Sequence, residues 1–446
     1  MDENTTTRMH DLVEGKHWRE LRSWYADHDV LEIADEFSRL DPEHRAVAFR
    51  LLPKDRALRV FEEMDPSEQG RLIATLRKEH VVELFREMDP DDRVRLMDEL
   101  PAKIAKDLLE GLSPHERHLT SILLGYPEET VGRIMSPEFV SLRPASTVAR
   151  AMDKVRRAGK MAETIYTLPV TDESFRLVGI ISLRELVLAQ PDALVGDLMQ
   201  QEVFSAHTDD DQEEAARLIL EAGVIALPIL DREDRLVGVL TVDDAMEVLE
   251  YESTEDIALS GATEPLDMPY MSASVTRLAR IRVVWLLVLV LTASISVKVL
   301  EIFEATLQAV VTLTLFIPLL MGTGGNVGAQ SSTLVVRAMA VGEIRFKDIF
   351  LVILRELRVG FVLGLMLGAL ALLPVSYFFD PKISLVLSLS LISICIISAT
   401  SGAALPMLAK RVGVDPAVVS APIITTLVDA LGLIVYFLFA NAILDI

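Results

Sequence analysis

Three stretches without a charged side chain, residues 305–336, 359–379 and 383–409, constrain this chain more than any other feature. Each exceeds the roughly 20 residues that a helix needs to cross about 30 Å of hydrocarbon, and buried globular helices rarely run so long uncharged. Two flanking segments complete the set: 283–303, interrupted late by Lys298 and Glu301, and 418–444, interrupted only by Asp429. Five membrane spans are therefore expected. Their direction follows from the loops, because Lys and Arg are retained on the cytoplasmic side. Arg277, Arg280, Arg282, Arg337, Arg345, Lys347, Arg355, Arg358, Lys410 and Arg411 fall in or beside one set of loops, and only Lys298 and Lys382 in the other. The N-terminal half is then cytoplasmic and the C-terminus outside, in keeping with an odd number of spans.

Charge separates the two halves. The formal net charge is -23, and residues 1–260 carry 55 Asp and Glu against 31 Lys and Arg, whereas the remainder carries 11 against 12. This excludes a purely soluble enzyme as the class, and nucleic acid is a poor partner because phosphate binding needs a basic face. The single cysteine, Cys395, lies in an apolar run, which excludes an intrachain disulfide and a cysteine-based metal centre. The first 30 residues lack the apolar core of a signal peptide, so the N-terminus is expected to stay in the cytoplasm.

The cytoplasmic half contains two internal repeats. Leu40-Asp41-Pro42, Met64-Asp65-Pro66, Met88-Asp89-Pro90 and Leu112-Ser113-Pro114 recur every 24 residues, each reading as an N-cap followed by Pro at the first helical position. Leu52-Pro53 and Leu100-Pro101 stand half-way, which predicts two short helices per repeat and a small all-helical superhelix. Further on, Leu168-Pro169-Val170, Arg176-Leu177-Val178-Gly179 and Ile180-Ile181-Ser182 return 59 residues later as Leu227-Pro228-Ile229, Arg235-Leu236-Val237-Gly238 and Val239-Leu240-Thr241. Each copy reads as a strand, an amphipathic helix, a hairpin through a charged turn and a closing helix, a layout that resembles a tandem pair of CBS domains. From Asp243 the chain turns densely acidic on a helical pattern, with no Lys or Arg between Leu236 and Thr276. A solvated face explains such acids in many helices. Uncompensated carboxylates directly before a membrane domain instead suggest a hard divalent cation as counter-charge.

Within the membrane half, Asp429 is the one carboxylate deep in a span, where an ionisable group is costly enough to imply function. Pro422, Thr425, Thr426 and Asp429 fall on one helical stripe. The second span contains Gly322-Thr323-Gly324-Gly325-Asn326-Val327-Gly328-Ala329-Gln330, dense enough in glycine to predict a broken helix that is buried in protein or lines a wet cavity, or else loose packing with Asn326 and Gln330 merely bridging helices. A weaker echo follows at residues 401–406. All eight histidines precede residue 261, so the membrane half offers chiefly oxygen ligands. That chemistry suits Mg2+, which gives up water reluctantly, better than zinc, copper or nickel.

In this combination the chain resembles the MgtE family of bacterial magnesium channels. The specific marks are Gly324-Gly325-Asn326-Val327-Gly328-Ala329-Gln330-Ser331-Ser332 and Gly413-Val414-Asp415-Pro416, followed by Pro422-Ile423-Ile424-Thr425-Thr426-Leu427-Val428-Asp429. The resemblance implies a multidomain membrane protein: an all-α N-terminal superhelix (1–130), an α/β tandem CBS pair (131–198 and 199–242), an acidic connecting "plug" helix with its linker (243–275) and a five-helix α transmembrane domain (276–446). It implies a homodimer in the bacterial plasma membrane, with no obligatory protein partner evident, that is no enzyme and conducts Mg2+ along its two-fold axis. Asp429, Thr425 and Asn326 are then the pore residues. Asp91, Asp211, Glu213, Asp244, Glu247, Glu252, Glu255, Asp256 and Asp415 are implied as regulatory carboxylates through which cytoplasmic Mg2+ closes the pore. Some relatives bind ATP in the CBS pair, which would bring in Ser182 with Glu185 and Thr241 with Asp244. Two rival readings stand beside this one: a carrier for Mn2+ or Co2+, and a membrane-anchored CBS nucleotide sensor.

Overall fold

A computed structural model describes residues 3–76, 78–266, 270, 273–419 and 421–444. Its internal packing divides the chain into two units, Met1–Glu252 with a short later segment, and Ser253–Leu266 with Ser274–Ile446.

In the first unit, each 24-residue repeat folds as a pair of short helices. Pro66–Thr75 and Lys78–Glu87 are followed by α1 (Pro90–Glu99) and Ala102–Gly111, and Pro114–Leu123 closes the series. Pro66, Pro90 and Pro114 each take the first turn, where a missing N–H costs nothing. Ser113 completes a reciprocal cap with Glu116, whereas Asp65 and Asp89 stand at the cap positions without a side-chain bond to the helix. The core follows a shorter period. Tyr25, Phe37, Phe49 and Phe61, one every half-repeat, form a ladder of buried rings with centroids 6.4, 5.9 and 6.1 Å apart. The helices Trp18–Asp27, Val30–Arg39, Pro42–Phe49 and Lys54–Glu62 contribute one ring each, and burying such a side chain is worth about 1.5–3 kcal/mol.

The CBS pair repeats its chemistry as well as its pattern. β1 (Thr167–Thr171) and β2 (Leu177–Ser182) form one antiparallel hairpin; β3 (Ala206–His207) runs parallel to β4 (Ala226–Leu230), which pairs with antiparallel β5 (Leu236–Thr241). In the first turn Asp172 Oδ1 accepts from the Ser174 and Arg176 amides, and in the second Asp231 Oδ1 accepts from those of Glu233 and Arg235. The copies interlock: Ser136, near the start of the first, bridges Val239 of the second, while Gln200, near the start of the second, bridges Ile180 of the first. Glycine is required at both crossings. A Cβ on Gly238 would lie 2.9 Å from the Ser136 carbonyl, and one on Gly179 2.8 Å from that of Gln200. α2 (Val242–Ser260) closes the second copy.

Among the described residues, the second unit holds five helices long and apolar enough to span a membrane. They are α3 (Val275–Ile302), α4 (Ile317–Ala340), α5 (Ile349–Phe378), α6 (Pro381–Arg411) and α7 (Ala421–Leu444). Gly360, Gly364 and Gly368 of α5 lie directly on α6: Cβ atoms there would fall 2.7 Å from Ile396 Cα, 2.5 Å from Ile392 Cα and 3.0 Å from the Ser388 carbonyl. Without a hydrophobic drive between helices in lipid, such small-residue contacts supply the packing.

One expectation is corrected. The glycine segment of span two does not break the helix; α4 runs through it, and the irregularity comes earlier, at Val310 and the 3₁₀ turn Val311–Phe316. There the buried Tyr436 hydroxyl donates to the Leu313 carbonyl at 3.0 Å, satisfying a group that an α-helix would have paired. The glycines serve contact instead. Cβ atoms on Gly324 and Gly328 would fall 2.8 Å from side-chain carbons of Val428 and Ile424 on α7. Close packing outweighs the roughly 1 kcal/mol helix penalty of each glycine.

Candidate functional site

The candidate ion pathway is built on α4 and α7. A Cβ on Gly325 would lie 3.2 Å from Thr425 Cγ2, so the residue beside Asn326 abuts the stripe that carries Asp429. Thr425 and Thr426 each donate their hydroxyl proton to the Pro422 carbonyl at 2.9 Å. Their oxygen lone pairs remain available to accept from water. Asp429 is half-buried and, among the described residues, has no hydrogen-bond or ion-pair partner. A structural role for it would require a cation at its depth, and none meets it. Gly322, Asn326 and Gln330 lie on the exposed face of α4, and neither amide side chain bridges to another helix among the described residues.

The acids of the first unit gather where α1 meets the start of α2. Asp91 is 4% exposed and its Oδ1 has no hydrogen-bond partner. Asp244 accepts from the Thr241 hydroxyl. The counter-charge absent from α2 itself is present after all: Arg95, 152 residues before Glu247, pairs with Glu247 and lies 3.6 Å from Asp244. The acids of α2 are thus not uncompensated, as the local sequence suggests, because the guanidinium arrives from the helical repeat. One cation still faces many carboxyls. Burial first, then Asp244, Asp92 and Glu163, hold Asp91 well above the usual carboxylate range. Burial raises Asp92 to about 6 against the pull of Arg95, and burial with Asp89 and Asp244 raises Glu163 to about 7.

Other sequence-predicted residues have local partners. Asp211 caps the helix Gln212–Ala222 by accepting from the Glu213 and Glu214 amides, Glu213 pairs with Arg217, and Gln212 donates to Glu252 at 2.7 Å. Asp415 accepts from the Ala417 amide at 2.7 Å. Glu255 and Asp256 lie further along α2, beyond the boundary of the first unit. Among the described residues, no three His, Cys, Asp or Glu side chains stand close enough to hold a metal. The CBS pairs occupy equivalent places: Ser182 and Glu185 form a reciprocal cap at the end of β2, and Thr241 and Asp244 pair at the end of β5.

Two expected results follow from the cluster. Arg95→Ala should weaken the metal-free first unit by about 1 kcal/mol, the scale of a partly exposed ion pair, and added Mg2+ should recover more stability in the variant than in the parent. Urea unfolding with EDTA or Mg2+ measures both; equal midpoints in EDTA would show that the guanidinium is a bystander. The second concerns pH. Asp92 and Glu163 keep their protons in the folded chain up to about 6 and about 7, but release them on unfolding at their ordinary 3.8 and 4.5. Between those values the folded state binds more protons, so stability falls as pH rises through the window. The thermal midpoint in EDTA should be higher at about pH 5.5 than at about pH 7.5, with Mg2+ narrowing the gap; a reversed order would contradict the sign.

These features define a class: an α-helical membrane protein with five candidate spans behind a tandem CBS pair and an all-α repeat domain. Family models for "Divalent cation transporter" (MgtE), "MgtE intracellular N domain" and "CBS domain" match residues 317–439, 29–129, and 131–192 with 195–251. The chain belongs to the MgtE family. It is 42% identical to the magnesium transporter MgtE of Thermus thermophilus, over 75% of this chain and 74% of that one. It is 35% identical to the Bacillus subtilis magnesium transporter MgtE, again over 75% and 74%. A crystal structure of the cytosolic domain of the Mg2+ channel MgtE in complex with ATP matches with a TM-score of 0.51 at 34% identity, covering 55% of this chain and 99% of that one.

Proposed function

We propose that this chain is a homodimeric Mg2+ channel of a bacterial plasma membrane, with its N-terminus in the cytoplasm and its C-terminus outside. The observation that carries the reading is Asp429: a carboxylate within a span, without a partner among the described residues, on the same stripe as two hydroxyls whose lone pairs remain free to accept. Two copies supply a charge of -2 against an ion of +2, and hydroxyl, amide and carboxylate oxygens hold the hydrated ion through its water. The exposed Asn326 supports a site completed by a second copy. Names of relatives as magnesium transporters favour the same ion.

Regulation forms the second half of the reading. Cytoplasmic Mg2+ binds the carboxylates of the repeat domain, CBS pair and connecting helix and closes the pore. The buried, orphaned Oδ1 of Asp91 is the feature that fits a cation there. ATP is a further ligand of the CBS pair at Ser182, Glu185, Thr241 and Asp244, supported by the ATP complex of the similar cytosolic domain.

The test of the transport reading is ion flux in liposomes containing the purified protein, at low Mg2+, with Mn2+ and Co2+ as competitors. Saturable Mg2+ entry that these ions displace only in excess is expected. Preferential Mn2+ or Co2+ entry would change the substrate, and no divalent entry would leave a membrane-anchored nucleotide sensor.

A further inference from the structure

The membrane half contains a second acid whose setting is not that of an ion pair. Glu356, in α5, has Arg355 and Arg358 as close sequence neighbours yet pairs with no cation among the described residues. Its polar contact is Ser331 of α4, whose Oγ lies 2.9 Å from Glu356 Oε2 and 2.8 Å from the Ala399 carbonyl of α6. Ser331 is 4% exposed, so no bulk water competes for its hydroxyl. Ser331 has a single proton to share between these two acceptors, so three helices meet at one hydroxyl.

That point lies on the seam that sets the pathway. A Cβ on Gly402 of α6 would fall 2.4 Å from the Gly328 carbonyl and 3.1 Å from Ser331 Cβ, so α4 and α6 touch backbone to backbone there. One turn earlier on α4, Gly325 and Gly328 meet Thr425 and Ile424 of α7. Glu356 stands four residues before Gly360, on the stripe of α5 that seats against α6. Glycine contacts alone leave a helix free to slide and rotate along its neighbour. A directional bond does not.

We propose that Glu356 is a positioning residue: by holding Ser331 it fixes the rotation and height of α4, and so where Asn326 stands relative to Asp429. Because it acts through a hydrogen bond, its charge is dispensable and its oxygen is not. This inference rests on the reading of Asn326, Thr425 and Asp429 as the pore site.

The experiment measures Mg2+ entry and Ca2+ competition for the full chain in liposomes, with S331A, E356A, E356Q and the S331A/E356A pair, normalised to folded protein by size-exclusion chromatography. S331A and E356A should each lower the preference for Mg2+ over Ca2+ by about fivefold or more, and the pair no further, since both remove one interaction. E356Q, which keeps the acceptor oxygen, should stay within about twofold of the parent. Multiplying effects in the pair, an E356Q as defective as E356A, or unchanged preference in both single variants would overturn the proposal. A parent chain that passes no divalent ion would instead overturn the pore reading, and this inference with it.

Discussion

Mg2+ entry through the chain carrying Asp429→Ala is expected to fall to background. Asp429→Asn, which keeps the shape and removes the charge, should lose nearly as much. A carboxylate in a span gives a dication an attraction that neutral oxygens there do not replace. A dication about 5 Å from one carboxylate gains about 7 kcal/mol at an effective dielectric of about 20. Even a fifth of that is about tenfold in occupancy, and in a dimer the loss is taken twice. The threonines compensate poorly, since their hydroxyl oxygens carry no net charge to set against a dication. Folding should be largely spared, because no partner of Asp429 is left unpaired among the described residues. Radiotracer or dye-based flux in liposomes gives the answer; unchanged conduction in both variants would remove Asp429 from the pathway.

What the sequence made legible was everything with a period. Uncharged runs longer than a bilayer gave the spans, prolines every 24 residues gave the helical repeat, and a duplicated hairpin motif gave the CBS pair. The glycine segment was misread because glycine has two opposite uses. In water it loosens a helix, whereas between helices in lipid it lets backbones touch, and only neighbours such as Ile394, Val428 and Thr425 tell which applies. The break at Val310 had no glycine or proline to announce it; it depends on Tyr436, far along the chain, to satisfy Leu313. Arg95 was invisible for a similar reason. Composition within a window shows that α2 lacks bases, but not that a helix from another repeat lays a guanidinium against it. Likewise, the Ser331 contacts join three helices whose order in sequence says nothing of their crossing.

Deleting residues 1–260 should leave a channel that high cytoplasmic Mg2+ no longer closes. The second unit has its own packing, with α4 and α7 interlocked at Gly324, Gly325 and Gly328, so conduction should survive the loss of the first. Closure needs a change that depends on the ion, and the acidic cluster provides one. Two facing carboxylates about 4 Å apart repel by about 4 kcal/mol at an effective dielectric of about 20, and Arg95 offsets only part of that among Asp91, Asp92, Asp244 and Glu247. A bound dication cancels the remainder and favours the compact arrangement, as a proton on Asp92 or Glu163 would. α2 is one continuous helix whose residues through Glu252 belong to the first unit and whose later residues belong to the second, so in the proposed reading it would be the covalent route by which such a change reached the spans. Binding and closure are then linked reciprocally: ions that favour the closed state bind it more tightly. Neutralising Asp244, Glu247, Glu255 and Asp256 together in the full chain should shift inhibition to higher Mg2+ while leaving entry at low Mg2+ intact. Concentration-dependent inhibition of flux, compared for the full, neutralised and deleted chains, reads this out. Inhibition of the deleted chain at the same Mg2+ concentration as the intact one would place sensing within the spans themselves and end this account of closure.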